Sequence, residues 1–242
     1  MAVEFSNVDN TADADDINCG SGASLDNVAI KSIAVWICAD VIDANYRRIC
    51  DKRGGTTGFL FAIQGTNTIA FVQDWSTTAG IWNAPNNSIA TGAWYHVGVV
   101  YNRGGAAPGS DPVFYVGGAL VATTETSTPA GTVSTDAGES LIIGSYGQAI
   151  DKYSYDGKME DPRVFNRAMT AEEFALLASG YRGPLGGEIC WLDLQLARGA
   201  WTGALTQGTH IFNDLSGNSN DGDPYGSPSL VASECPRMGV LV

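Results

Sequence analysis

A two-sheet antiparallel β-sandwich carrying one short surface helix is the fold class this sequence predicts, and three observations predict it. Short apolar stretches alternate at period two and are rich in β-branched and aromatic residues. Thirty Gly and nine Pro, with many Asn, Asp, Ser and Thr, break those stretches at roughly the 8 to 12 residue spacing of sandwich strands. Helical periodicity is confined to a single segment. With 242 residues, 44% of them apolar, the chain can bury a substantial core without help from disulfides or metal.

The strands follow in order. Ile33 to Asp40 is one, Gly58 to Ile63 a second, Thr68 to Gln73 a third and Trp94 to Tyr101 a fourth. Pro112 to Val121 reads as a hairpin pivoting on Gly117 and Gly118, because two adjacent glycines supply positive φ at no steric cost. Leu141 to Gly144 and Met159 to Phe165 complete the set. The helix starts at Thr170, whose side chain and that of Glu173 form a capping box, and stops at Gly180. After Gly183 the composition shifts. A strand at Ile189 to Leu196, an Asn/Asp/Gly loop over 213–223 and an apolar tail follow. The expected organisation is one sandwich domain over 1–182 and a C-terminal extension over 183–242, packed on the sandwich or completing it.

Charge and composition exclude whole classes. Lys and Arg total 13 against 26 Asp and Glu, a net charge of −13 with a pI near 4.3, and no basic run exceeds Arg47-Arg48. Nucleic acid is therefore not an expected partner. Uncharged stretches such as Ile33 to Ala39 are far shorter than the roughly 18 apolar residues of a membrane span. The first twenty residues lack the basic and apolar regions of a signal peptide, so the expectation is no membrane insertion and no secretory signal in the chain as given. Five cysteines at irregular spacing, with no C-x-x-C pair, read as buried thiols rather than a zinc site or a disulfide framework.

The succession Ala34-Val-Trp-Ile, Gly92-Ala-Trp-Tyr-His-Val-Gly-Val-Val-Tyr-Asn, Phe114-Tyr-Val-Gly-Gly-Ala-Leu-Val, Ile142-Ile-Gly-Ser-Tyr and Tyr155-Asp-Gly-Lys-Met-Glu-Asp-Pro-Arg-Val-Phe-Asn-Arg-Ala-Met-Thr-Ala-Glu-Glu resembles the laminin-G-like jelly rolls of the concanavalin A-like lectin/glucanase superfamily. The resemblance covers roughly residues 1–182. Its most specific part runs from Asp156 to Glu173, a last long strand leading straight into a short capped helix. Ile17 to Gly20 with Ala23 to Leu25 is similar to the family's first strand. Pro162 departs from the pattern and implies a bulge or an edge. Phe212 to Gly222 is similar to a stretch that normally precedes the first strand, so it either fills that slot from behind or begins a partial second repeat.

The resemblance implies candidate chemistry. Laminarinase-like glycosidases of this fold carry Glu, apolar, Asp, apolar, any residue, Glu on one strand, and no window here matches; in Met159 to Val164 the adjacent acids Glu160 and Asp161 would point to opposite faces of a strand. His96, inside a strand, and His210, in a Thr/Gly-rich loop, have no nucleophile placed beside them by a local motif. The chain requires no cofactor. A structural Ca²⁺ is what the family implies, at positions matching Gly20 and Glu160 with Asp161 and Asp156 nearby. Asp214, Ser216, Asn218 and Asn220 alternate oxygen donors in a way that could ring a Ca²⁺, yet Asp214 and Asp221 are the loop's only charges, and the favoured reading is a turn-rich loop. Glycan binding would use Trp75, Trp82 and Tyr46, aromatic rings in polar, loop-like surroundings that would place them at the surface.

The expected function is a non-catalytic structural or recognition module: a decoration or adhesion subunit at a virion surface or extracellular face, partnered by an assembly or by other copies of itself, with Met238 to Val242 as the contact. The alternative is a lectin-like glycan-binding domain that uses calcium, and the remote one is a glycoside hydrolase.

Overall fold

The computed structural model describes residues 1–6, 14–103, 111–146, 153–192, 194, 203–233 and 235. In chain order the strands are β1 (Ala2–Phe5), β2 (Asp16–Asn18), β3 (Ile30–Ala39), β4 (Arg47–Arg53), β5 (Gly58–Gln64), β6 (Thr68–Gln73), β7 (Gly80–Asn83), β8 (Trp94–Asn102) and β9 (Val113–Val116). They continue as β10 (Ala119–Val121), β11 (Thr124–Ser127), β12 (Ile142–Ile143), β13 (Gly157–Phe165), β14 (Glu188–Trp191), β15 (Gly203–Ala204), β16 (Asp223–Tyr225) and β17 (Ser229–Val231), with one α-helix, α1 (Ala171–Ala178), between β13 and β14.

These form two antiparallel sheets, as the sequence predicts. The first runs β10-β9-β8-β3-β13-β1-β17-β15, with β14 also pairing to β13; the second runs β11-β7-β6-β5-β4-β12-β2-β16. Period-two alternation turns one set of side chains from each sheet into a shared interior: Ile33, Val35 and Ile37 from β3, Phe59, Phe61 and Ile63 from β5, Phe71 from β6, Val97, Val99 and Tyr101 from β8. Residues beyond 182 supply strands to both sheets. β14 pairs with β13, β17 with β1, and β16 with β2.

The hairpin turns where two glycines allow it, at Gly117 (φ 61°) and Gly118 (φ 78°). The strands the sequence reading passes over include those whose pattern is charged or too short to alternate visibly: β4 is Arg-Arg-Ile-Cys-Asp-Lys-Arg, and β1, β7 and β11 have four residues each. Of the strand expected over Ile189 to Leu196, β14 covers the start, while 193 and 195–202, Trp201 among them, lie outside the described residues.

Pro162 does mark a bulge. The β13–β3 register shifts between Glu160 and Arg163, and Asp161 takes φ 54°. One side effect corrects the sequence expectation that Glu160 and Asp161 face opposite ways. The bulge breaks the alternation, and both carboxylates reach the same guanidinium: Arg182 Nη2 lies 3.0 Å from Glu160 Oε1 and Arg182 Nη1 2.7 Å from Asp161 Oδ2.

Helix α1 has the expected capping box: Glu173 N donates to Thr170 Oγ1 (3.3 Å) and Thr170 N to Glu173 Oε2 (2.8 Å). It lies on the outer face of the first sheet, where Phe174 stacks on Tyr115 at 4.0 Å and packs with Ala34, Phe165, Met169 and Leu177. Gly98 makes this contact fit, because a Cβ there would meet Phe174 Cε1 at 2.2 Å. The helix thus covers the first sheet, and the second sheet's outer face carries no helix among the described residues.

Candidate functional site

The outer face of the second sheet is defined by register. Phe59, Phe61 and Ile63 of β5 point into the core, so Leu60, Ala62 and Gln64 point out, opposite Val72, Ala70 and Thr68 of β6. β4 adds Arg48, which pairs with Ala62, and Asp51, which pairs with Leu60; between them a bulge sends both Ile49 and Cys50 inward. Ile81 and Asn83 of β7 face Val72 and Ala70.

On this floor Arg48 is the centre of an aromatic cluster. Its guanidinium carbon lies 4.9 Å from the ring centre of Tyr153, 5.6 Å from Tyr146 and 5.9 Å from Tyr46. All three tyrosines are half-buried. Arg48 Nε sits 2.8 Å from Asp51 Oδ2, and Arg48 Nη1 donates to the Tyr46 carbonyl (3.1 Å). Next along the face Arg53 makes a two-point contact with Asp74, at 2.7 and 2.9 Å. Burial raises the Asp51 carboxyl to about 7 in spite of the lowering by Arg48 and Arg53, and burial also lowers Arg48 from its ordinary value. Two arginines matched by two aspartates leave the floor close to neutral, on a chain of net charge −13.

Two hollows border the cluster. One, of about 160 Å³, is lined by Asn18, Arg53, Glu139, Ser140, Ile142 and Tyr146. The other, of about 390 Å³, is lined by Ala44, Gln64, Gly65, Thr66, Asn83 and Asn86, and Gln64 Nε2 ties it to the cluster by donating to Tyr46 Oη at 3.2 Å. Aromatic rings beside amide, hydroxyl and carboxylate groups provide both ring faces for apolar contact and edges for directional hydrogen bonds.

Of the three aromatic residues the sequence singles out, Tyr46 is on this face and the two tryptophans are elsewhere. Trp82 is fully buried and faces the core from β7, stacked against Phe71 (6.4 Å) and tilted on Tyr101 (5.4 Å), with its indole N–H donating to Asp111 Oδ1 at 2.7 Å. Gly80 clears the space, since a Cβ there would lie 2.1 Å from the indole. Trp75 is 9% exposed and bridges to Val133. The expectation of exposed rings is corrected for both. Trp82 belongs to a strand and faces the core, and Trp75 bridges to the segment at Val133. Arg48, Asp51, Tyr146 and Tyr153 are the members sequence reading misses; the only signal is a strand whose outward positions are charged, bracketed by tyrosines far apart in the chain.

Of the residues matched to a calcium site, Glu160 and Asp161 are held by arginine. Glu160 and Asp161 face cations already: Arg182 contacts both, Arg163 contacts Asp161 at 3.0 Å, Ser233 Oγ donates to Glu160, and Trp191 Nε1 donates to Asp161 Oδ1 at 2.8 Å. Gly20 lies beyond β2 in the second sheet, its carbonyl accepting from Leu141 N, and Asp156 precedes β13. No group of three or more His, Cys, Asp or Glu that could hold a metal occurs among the described residues. Asp214 spends its oxygens on its own loop and on β14, accepting from Ser216 N, Ser216 Oγ and Asn220 N in the loop and from Trp191 N in the strand. The carboxylate–arginine knot borders a cavity of about 200 Å³ with Trp191, Leu192 and Leu215. His96 is buried against Trp36 and Phe174, and His210 Nδ1 accepts from Thr206 N. Met238 to Val242, the expected contact between copies, lies outside the described residues. No helix among the described residues is long and apolar enough to cross a membrane.

A family profile described as the concanavalin A-like lectin/glucanases superfamily matches residues 11–175. No curated protein sequence matches the chain. Among solved structures, a candidate carbohydrate-binding protein from Bacteroides ovatus ATCC 8483 is similar at TM-score 0.69 and 16% identity, over 98% of this chain and 61% of that one. The chain therefore spans about three fifths of that protein's length. The heptameric SAP-like pentraxin of Limulus polyphemus matches at TM-score 0.54 and 19% identity, over 74% of this chain and 81% of its own. The binding domain of Paraclostridial Mosquitocidal Protein 1 matches at 0.52 and 12%, over 74% and 46%. At these identities the likeness is one of fold.

Proposed function

From the premise that this chain belongs to the concanavalin A-like lectin/glucanase superfamily, in its laminin-G-like branch, we propose that it is a glycan-binding module and that the outer face of its second sheet takes the sugar. One observation carries the reading: three half-buried tyrosines gathered round Arg48 on a face that carries no helix among the described residues. A pyranose ring has an apolar face of C–H groups and an equatorial rim of hydroxyls. The tyrosine rings match the first, and the half-buried Arg53 and Gln64 match the second, while the buried Arg48–Asp51 pair holds the tyrosines from beneath. Near-neutral charge on the floor favours an uncharged sugar over an anionic one. The carbohydrate-binding description of the Bacteroides ovatus protein supports the same reading.

Binding without hydrolysis is the form we propose. Asp51 and Asp74 are each held by an arginine, whereas glycoside hydrolysis needs one carboxylate free to attack or to activate water and one protonated to donate. A decoration or adhesion subunit at a virion or extracellular surface would present the same face, and that placement is the finer part of the proposal.

The test is an oligosaccharide array probed with the labelled chain, followed by titration of the strongest hit. Tyr153→Ala and Tyr46→Ala should each weaken binding about tenfold, the loss of one ring contact. Tyr181→Ala, exposed outside this face, should bind as the parent does. An array with no bound sugar, or tyrosine variants that bind unchanged, would overturn the proposal.

A further inference from the structure

Two lysines face the interior between the sheets, and they are satisfied unequally. Lys52 of β4 is 0% exposed and Lys31 of β3 is 1% exposed. Lys52 Nζ donates to Asp26 Oδ1 (3.0 Å) and to the carbonyls of Asp136 (2.6 Å) and Glu139 (2.8 Å). Lys31 Nζ meets one acceptor among the described residues, Gln73 Oε1 at 3.0 Å, and otherwise lies over aromatic rings, 4.3 Å from the centre of Phe59 and 5.9 Å from that of Tyr101. Register explains the meeting. Phe59 of β5 stands opposite both Lys52 of β4 and Gln73 of β6, and Lys31, paired with Tyr101, reaches that row from the other sheet. Gln73 is 0% exposed, and its Nε2 donates to the Gly58 carbonyl at 2.8 Å, which fixes the carboxamide with its oxygen on Lys31. Asp136, fully buried, adjoins the row 4.0 Å from Lys52 Nζ, and its Oδ2 accepts no hydrogen bond among the described residues.

We propose that Lys31 and Gln73 form an intramolecular amide bond, a covalent tie across the core between β3 of the first sheet and β6 of the second. The Lys31 nitrogen adds to Gln73 Cδ, the Cδ–Nε2 bond breaks, and the –NH2 group leaves as ammonia with a proton taken from the attacking nitrogen. Nothing is oxidised or reduced, and no co-reactant enters. Asp136 Oδ2 is the unpartnered carboxylate oxygen beside this row that can relay the proton. Burial lowers Lys31 from the ordinary lysine value to about 7, so near neutral pH much of the amine is unprotonated and nucleophilic. Holding amine and carboxamide in contact supplies what a bimolecular aminolysis lacks, since effective molarities of well-oriented partners reach about 10⁵ to 10⁸ M. Burial also keeps bulk water from both groups, so hydrolysis of the carboxamide does not compete.

The experiment holds the folded full chain at about pH 8, where the Lys31 amine is largely neutral, and then reads intact mass and a tryptic map after denaturation. The expected mass is about 17 Da below that of the sequence, the loss of one ammonia. Trypsin should leave Lys31 uncut, and the peptide over 1–47 should appear joined to the peptide over 54–103 that carries Gln73. Lys31→Met and Gln73→Met should each keep the full mass of their sequence. A parent chain of full mass that trypsin cuts at Lys31 would overturn the proposal. So would a loss of the same size with Lys31 still cut, because the ammonia then came from another residue. The map of the unsubstituted chain gives this answer even where a variant fails to fold.

Discussion

Acidification tests the interior of the first sheet's outer layer through His96. The imidazole is 2% exposed, packed edge-on to Trp36 at 5.4 Å and near Phe174 at 6.4 Å. Burial, with the positive charges of Arg182 and Arg163, lowers its pKa from 6.5 to about 3. The folded state thus holds fewer protons than the unfolded chain between those two values, and stability falls as pH drops below 6.5. At about pH 4.5 the unfolded histidine is almost fully protonated and the folded one is not, a difference of about 2.5 kcal/mol relative to neutral pH. Asp16 and Asp51 work in the opposite direction. Both are raised to about 7 by burial, so they take up protons in the folded state first and acid favours folding through them. The measurement is therefore a difference. Denaturant unfolding of the parent and of His96→Leu is compared at neutral pH and at about pH 4.5, where the parent should lose about 2.5 kcal/mol more than the variant. Parallel losses in the two proteins would refute the burial of a neutral imidazole.

Two further outcomes follow from the helix. Phe174→Ala removes the ring that stacks on Tyr115 and fills the space over Gly98, and should cost about 3 to 5 kcal/mol in denaturant unfolding, with an upfield-shifted ring environment lost at Tyr115 by NMR. Thr170→Ala deletes the cap acceptor for Glu173 N and should cost about 1 kcal/mol by the same unfolding measurement, with the sheet signals unchanged.

What could be read from the sequence was whatever local periodicity and local chemistry encode. Ile33 to Ile37, Phe59 to Ile63 and Val97 to Tyr101 alternate along the chain, and alternation alone turns one set inward, so the two-sheet sandwich and most of its core were legible. The Thr170/Glu173 box and the Gly117-Gly118 turn were equally readable, because every atom involved lies within a few residues. Pro162 announced its bulge, having no N–H to give to the ladder.

The rest depended on which strand lies beside which. Trp82 looks exposed among polar neighbours, yet its strand is paired to β6 in the register that sets it opposite Phe71. Glu160 and Asp161 alternate on paper, and a positive φ at Asp161 delivers both to Arg182. The cluster at Arg48 joins residues 46, 48, 146 and 153, whose separation along the chain carries no period at all. A strand's inward face is set by a two-residue repeat, whereas the meeting of distant strands is set by sheet order and register, and those are properties of the folded whole.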